Sequence, residues 1–122
     1  MHYVMLILET ECALAQRADE SNDEFWGPWR AYHRALLDAG VYLGGNALQP
    51  ASLGTTIRVR GGERQVQDGP IVDTKEQLGG YIVLDVPSLD VAIEWASRCP
   101  AAGYGSIELR PVADNTSIFS RA

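Results

Sequence analysis

The order of segments along this chain predicts an α+β fold of ferredoxin-like plan, a mostly antiparallel sheet carrying two helices on one face. Three observations predict it. Two short apolar runs, Tyr3–Leu8 and Tyr81–Val86, are rich in β-branched and aromatic residues and too short for core helices. Two stretches, 28–39 and 89–98, place apolar residues at three- and four-residue spacing, as an amphipathic helix does. Between them, residues 56–67 alternate apolar and polar around Gly61-Gly62, the pattern of a hairpin. The order is strand, helix, strand, hairpin, strand, helix, strand.

Each element follows from its residues. Tyr3-Val4-Met5-Leu6-Ile7-Leu8 is apolar on both faces, so both faces need cover. Residues 9–27 read as polar and irregular, with Ser21-Asn22-Asp23-Glu24 offering a capping box for a short helical turn. Pro28 suits the first position of a helix, where its missing N–H does no harm, and Gly40 suits the left-handed terminator. The apolar stripe of that helix is Trp29, Tyr32 and Leu36, with Leu37 alongside. Val41-Tyr42-Leu43 is a strand that ends at Gly44-Gly45, and residues 46–54 form a loop around Pro50. The hairpin sets Ile57 opposite Val66, with Arg58 and Gln65 on its other face. Ser88 caps a second helix, Leu89 to Arg98, which buries Val91, Ala92, Trp95 and Cys99 and stops at Pro100. Ser106–Arg110 alternates into a last strand, with Pro111 at its end.

Two helices cover one sheet face. The other face, apolar at 3–8 and 81–86, predicts a homodimer, because one sheet face can supply the roughly 800 Å² per partner of a standard interface. The length of 122 residues fits a single domain spanning 1–122. A net charge of −6 argues against a direct nucleic-acid footprint, which needs a basic face. No run approaches the roughly 18 apolar residues of a membrane span. Cys12 and Cys99, with no leader pattern before them, read as reduced thiols of a cytoplasmic protein. No C-x-x-C or comparable spacing suggests a metal, and nothing calls for a cofactor.

The segment most suggestive of a site runs from Asp68 to Tyr81. Asp68-Gly69-Pro70 forces a tight reversal, and Gly79-Gly80 lets the backbone pass close to another group before the strand that follows. Asp68-Gly69-Pro70, followed by Thr74-Lys75-Glu76-Gln77-Leu78-Gly79-Gly80-Tyr81, resembles the signature of the YCII-related (DGPF-domain) proteins. Gly40, Gly44-Gly45 with Leu48-Gln49-Pro50, residues 55–60 and residues 104–112 fit the same resemblance, which covers essentially the whole chain. The resemblance implies a dimeric α+β barrel and, for some members, a gene beside an extracytoplasmic-function sigma factor. It also implies a Phe after Gly-Pro, where Ile71 stands here. A better-studied branch of the superfamily pairs a His on the first helix with an Asp before a Pro. Those positions read Trp29 and Arg98-Cys99-Pro100 in this chain, while His33 stands one helical turn beyond Trp29.

These residues define a candidate cleft between the first helix and the segment 68–78. Its candidate acid–base groups are His33, whose imidazole titrates near neutral pH, and Asp68. Its candidate ligand-binding groups are Asp73, Lys75, Glu76 and Tyr32. Each also has a plain structural reading. His33 can be a helix-face histidine, Asp68 can cap its own turn, the charged loop residues can be solvated, and Tyr32 can be core. Two functions follow. One is binding of an unidentified small molecule by an accessory protein linked to sigma-factor signalling. The other is a cofactor-independent enzyme, lyase- or dehydrohalogenase-like in its proton transfer, using His33.

Overall fold

The computed structural model of the chain describes residues 1–70 and 74–114. Ile71 and Asp73 lie outside them. The strands are β1 (His2–Thr10), β2 (Tyr42–Ala47), β3 (Thr55–Arg60), β4 (Glu63–Asp68), β5 (Glu76–Asp85) and β6 (Ser106–Pro111), and the helices are α1 (Glu11–Arg17), α2 (Asp23–Asp38) and α3 (Leu89–Arg98). Four strands form one antiparallel sheet in the order β2-β5-β1-β6, and β3 and β4 form a separate two-stranded ribbon. The order and directions are those of the ferredoxin-like plan, with the ribbon inserted between its second and third strands.

Period-two alternation decides which side chains of β1 are covered. Tyr3, Met5, Ile7 and Glu9 are buried, while Val4, Leu6, Leu8 and Thr10 are only partly so. Tyr3, Met5 and Ile7 pack with Leu84 of β5 and Val86 just beyond it, Tyr32 and Leu36 of α2, and Ala92, Ala96 and Cys99 at α3. Small residues on α3 let it lie close to the sheet, while Tyr32 reaches across to donate its hydroxyl to the Trp95 carbonyl at 2.7 Å. The two long helices thus share one face. Val4 pairs with Val83 and Leu6 with Tyr81 on the face that carries no helix.

Several boundaries differ from expectation, each for a local reason. The polar stretch 9–27 contains α1, whose N-cap is Thr10, its side chain accepting from the Ala13 amide at 3.3 Å. α2 starts at Asp23 rather than Pro28, because Asn22, not Ser21, is the cap and accepts from the Phe25 amide at 3.2 Å. Ser21 bonds instead to Asp19, whose carboxyl is held below its usual range by that contact. Pro28 sits inside the helix near its start. β5 begins at Glu76, so half of the expected polar loop is strand, and β2 continues to Ala47. Leu37 faces outward.

The ribbon has the expected register, Ile57 opposite Val66, around Gly61 and Gly62, both at positive φ. Its apolar face is open. Ile57, Val59 and Val66 are 63%, 61% and 59% exposed. Among the described residues, no helix is long and apolar enough to cross a membrane.

Candidate functional site

A cleft of about 170 Å³ opens between α2 and the β1–β5–β2 part of the sheet. One wall is the aromatic face of α2, Phe25, Trp26, Trp29, Tyr32 and His33, brought together by three- and four-residue spacing. The rings meet edge to face: Trp29 and Tyr32 have centroids 6.3 Å apart at 82°, and Phe25 and Trp26 lie 5.1 Å apart at 90°. The opposite wall is Ile7 and Ile82 with the backbone around Gly45 and Gly79-Gly80. At one end stands an ion pair, Glu9 with Arg17.

Among the described residues Glu9 is the one buried charged side chain, only 3% exposed. β1 puts it there, because alternation from Tyr3 through Met5 and Ile7 carries the next inward position onto a carboxylate. Its Oε1 accepts from Arg17 Nη1 at 3.3 Å, and its Oε2 accepts from the Tyr104 hydroxyl at 3.1 Å. That hydroxyl in turn accepts from Trp29 Nε1 at 3.1 Å. Burial, with Glu9 adding to it, raises the Tyr104 phenol well above its ordinary value, so Tyr104 stays protonated and donates to Glu9. Arg17 also donates to the Gly79 carbonyl at 2.8 Å.

Gly79 is the extra residue of a bulge, since Ile7 pairs with Gly80 and Leu8 with Leu78. A Cβ at Gly79 would stand 2.5 Å from Glu9 Oε1, and one at Gly80 would stand 2.8 Å from the Asn46 carbonyl. The close approach expected of the Gly-Gly pair is therefore to the carboxylate and to the neighbouring strand.

The residues singled out in the sequence fall in different places. His33 lines the mouth of the cleft, exposed, its ring edge-on to Tyr42 at 4.9 Å. Among the described residues it has no carboxylate partner. Tyr32 lines the cleft with its ring, but its hydroxyl is engaged by Trp95, and burial raises its phenol well above the ordinary range. Of the segment 68–78 expected to share the cleft with α2, none of the described residues lines it. Asp68 ends β4 on the exposed ribbon, and Lys75 is exposed before β5. Glu76 pairs with Thr10 on the helix-free face, where its carboxylate takes the Ser106 hydroxyl. The cause is the early start of β5, whose alternation turns Glu76 away from α2. Asp73 lies outside the described residues.

Where the resemblance implies an imidazole, Trp29 places an indole N–H donor inside the cleft wall. At the second position Cys99 is buried and its thiol is pushed up to about 11, chiefly by that burial, which makes it a poor nucleophile. Arg98 stacks over the Trp95 ring, 4.4 Å from its centroid. Glu9, Arg17, Trp26 and Tyr104 were not singled out by sequence reasoning. For Glu9 a signal existed, a carboxylate at the inward parity of an otherwise apolar strand.

The family model of the YCII-related domain matches residues 1–116. The chain belongs to the YCII-related domain family. A relative in Rhizobium meliloti (strain 1021), an uncharacterized protein, is 33% identical over 115 residues, covering 93% of each chain. Among solved structures, this YCII-related chain is similar to 5-chloro-2-hydroxyhydroquinone dehydrochlorinase from Burkholderia phenoliruptrix AC1100, in complex with 2,5-dihydroxybenzoquinone. That match has a TM-score of 0.56 at 15% identity and covers 96% of this chain and 98% of that one. At that identity the likeness is one of fold.

Proposed function

We propose that this YCII-related protein binds a small planar molecule of about one ring in the cleft between α2 and the sheet. The observation that carries the reading is the cleft itself: aromatic side chains on one wall, glycine backbone on the other, and one buried ion pair at its end. A cavity of about 150 Å³ accommodates benzene in an engineered protein, so about 170 Å³ suits a single substituted ring. The dehydrochlorinase of the same fold, in complex with a one-ring quinone, supports the same ligand size. The protein works as a homodimer through the helix-free face, since Val4, Leu6, Leu8 and Val83 form a partly exposed apolar strip there, on which no helix lies among the described residues.

NMR titration with para-nitroanisole tests the binding. Saturable shifts of the Trp26 and Trp29 indole N–H resonances are expected, with Trp95 unmoved. Ala47→Phe, which fills the cleft mouth, is expected to weaken binding by about tenfold or more. Absence of any saturable shift with one-ring compounds overturns the proposal.

A second reading, a cofactor-independent proton-transfer enzyme, is favoured by the same buried carboxylate at the end of the cleft. His33, at the mouth and without a carboxylate to orient it, is poorly placed as the base. Turnover of a one-ring substrate that His33→Ala abolishes would restore His33 to that role.

A further inference from the structure

Glu9 combines three properties that a purely structural ion pair does not need. It is almost fully buried, it lines the cleft, and its carboxylate is incompletely occupied. A carboxylate offers about four acceptor positions. Here Oε1 receives one hydrogen bond from Arg17, at the long distance of 3.3 Å, and Oε2 receives one from Tyr104. Arg17 bonds through Nη1 alone among the described residues, to Glu9 and the Gly79 carbonyl, so further guanidinium donors remain beside the same cleft end. An acceptor and a cation thus stand together at the inner end of an aromatic slot.

We infer that Glu9 is the proton acceptor for a ring hydroxyl, and that the cleft selects planar one-ring molecules whose hydroxyl is acidic through conjugation with a carbonyl or nitro group. The inference rests on the ring-binding reading above and adds the chemistry of its polar end. In the step, the ligand O–H bond breaks and its proton passes to a Glu9 carboxylate oxygen, making a neutral carboxylic acid. The electron pair stays on the ring oxygen, and Arg17, which had balanced Glu9, now balances that oxyanion. The net charge of the buried site is zero before and after, so the transfer creates no uncompensated buried charge. A carboxylate is a weak base, so an ordinary alcohol or a simple phenol keeps its proton here, and only a ring hydroxyl about as acidic as a carboxylic acid gives it up. Tyr104 is the positioning residue, holding Oε2 with its hydroxyl and itself held by Trp29.

The test compares 2,4-dinitrophenol, whose hydroxyl is about as acidic as a carboxylic acid, with its methyl ether, 2,4-dinitroanisole, on the intact protein at mildly acidic pH. The phenol is expected to bind about tenfold to a hundredfold more tightly than the ether, with the absorbance of the phenolate and with one proton taken up by the protein, so that its affinity falls as pH rises. In Glu9→Gln, which leaves Arg17 unbalanced, the phenolate is expected to bind with no proton taken up, and that fall of affinity with pH is lost. Equal binding of phenol and ether overturns the inference and leaves ring binding intact, as does phenolate binding to the native protein with no proton taken up. If neither compound binds, the ring-binding reading and this inference fall together. Because the two ligands are compared on the native chain, the outcome stands even where Glu9→Gln does not fold.

Discussion

Gly79 and Glu9 share one space: the carboxylate oxygen Oε1 lies 2.5 Å from where a Cβ on Gly79 would be built. The bulge at Gly79 makes that room, and the same residue's carbonyl receives Arg17 and the Leu48 amide, each at 2.8 Å. Gly79→Ala is therefore expected to push Glu9 off Arg17 and to destabilise the fold by about 1–3 kcal/mol, as overpacking does. Urea denaturation measures it. An unchanged midpoint would mean that the carboxylate yields without loss.

Tyr104→Phe removes one hydroxyl from the middle of the chain Trp29–Tyr104–Glu9. The indole N–H loses its acceptor and Glu9 loses a donor, both away from bulk water. The expected loss is about 1–3 kcal/mol, larger than the roughly 1 kcal/mol of a typical hydrogen bond. Trp29→Phe tests the same chain from its other end. Combining it with Tyr104→Phe should show non-additivity in a double-mutant cycle, because the two residues touch.

Stability should fall at alkaline pH. The Cys99 thiol is raised from its ordinary 9.0 to about 11, mainly by burial, and the Tyr32 and Tyr104 phenols are raised as well. A group whose folded pKa is raised keeps its proton more tightly in the folded state. Its contribution is fully present below its unfolded pKa and is lost as pH rises through the folded value. For Cys99 the window is pH 9 to about 11. Denaturation midpoints measured across that range should decline, and Cys99→Ala should flatten the part due to the thiol. In the native state a thiol reagent should modify exposed Cys12 well before Cys99.

Leu6 faces away from the helices, between Tyr81 and Glu108. Leu6→Glu is expected to split the proposed homodimer while leaving the chain folded, because it changes a partly exposed side chain rather than the core. Val83→Asp, opposite Val4, should do the same, whereas Met5, fully buried on the helix side, is a stability position. Light scattering decides the matter. A native protein with the mass of one 13.3 kDa chain would end the dimer proposal.

The sequence by itself determined the plan of the fold, because the signals that set it are local. The short apolar runs at 3–8 and 81–86, the Gly61-Gly62 turn, the Ser88 cap and the stripe Trp29–Tyr32–Leu36 each depend on neighbours within a few residues, and each appears in the structure. The start of α2 was misplaced by a local ambiguity, since both Ser21 and Asn22 are good caps and Pro28 is a good first residue. The polar end of the cleft was not legible in this way. Glu9 and Arg17 lie far in the chain from Gly79 and Tyr104, and only the pairing of β1 with β5 and the turn before β6 bring the four within hydrogen-bonding distance. Asp68 and Glu76 show the converse. They belong to one conspicuous polar stretch, yet one ends on the ribbon and the other on the sheet face away from α2, because strand register, not nearness in sequence, decides which face a side chain occupies.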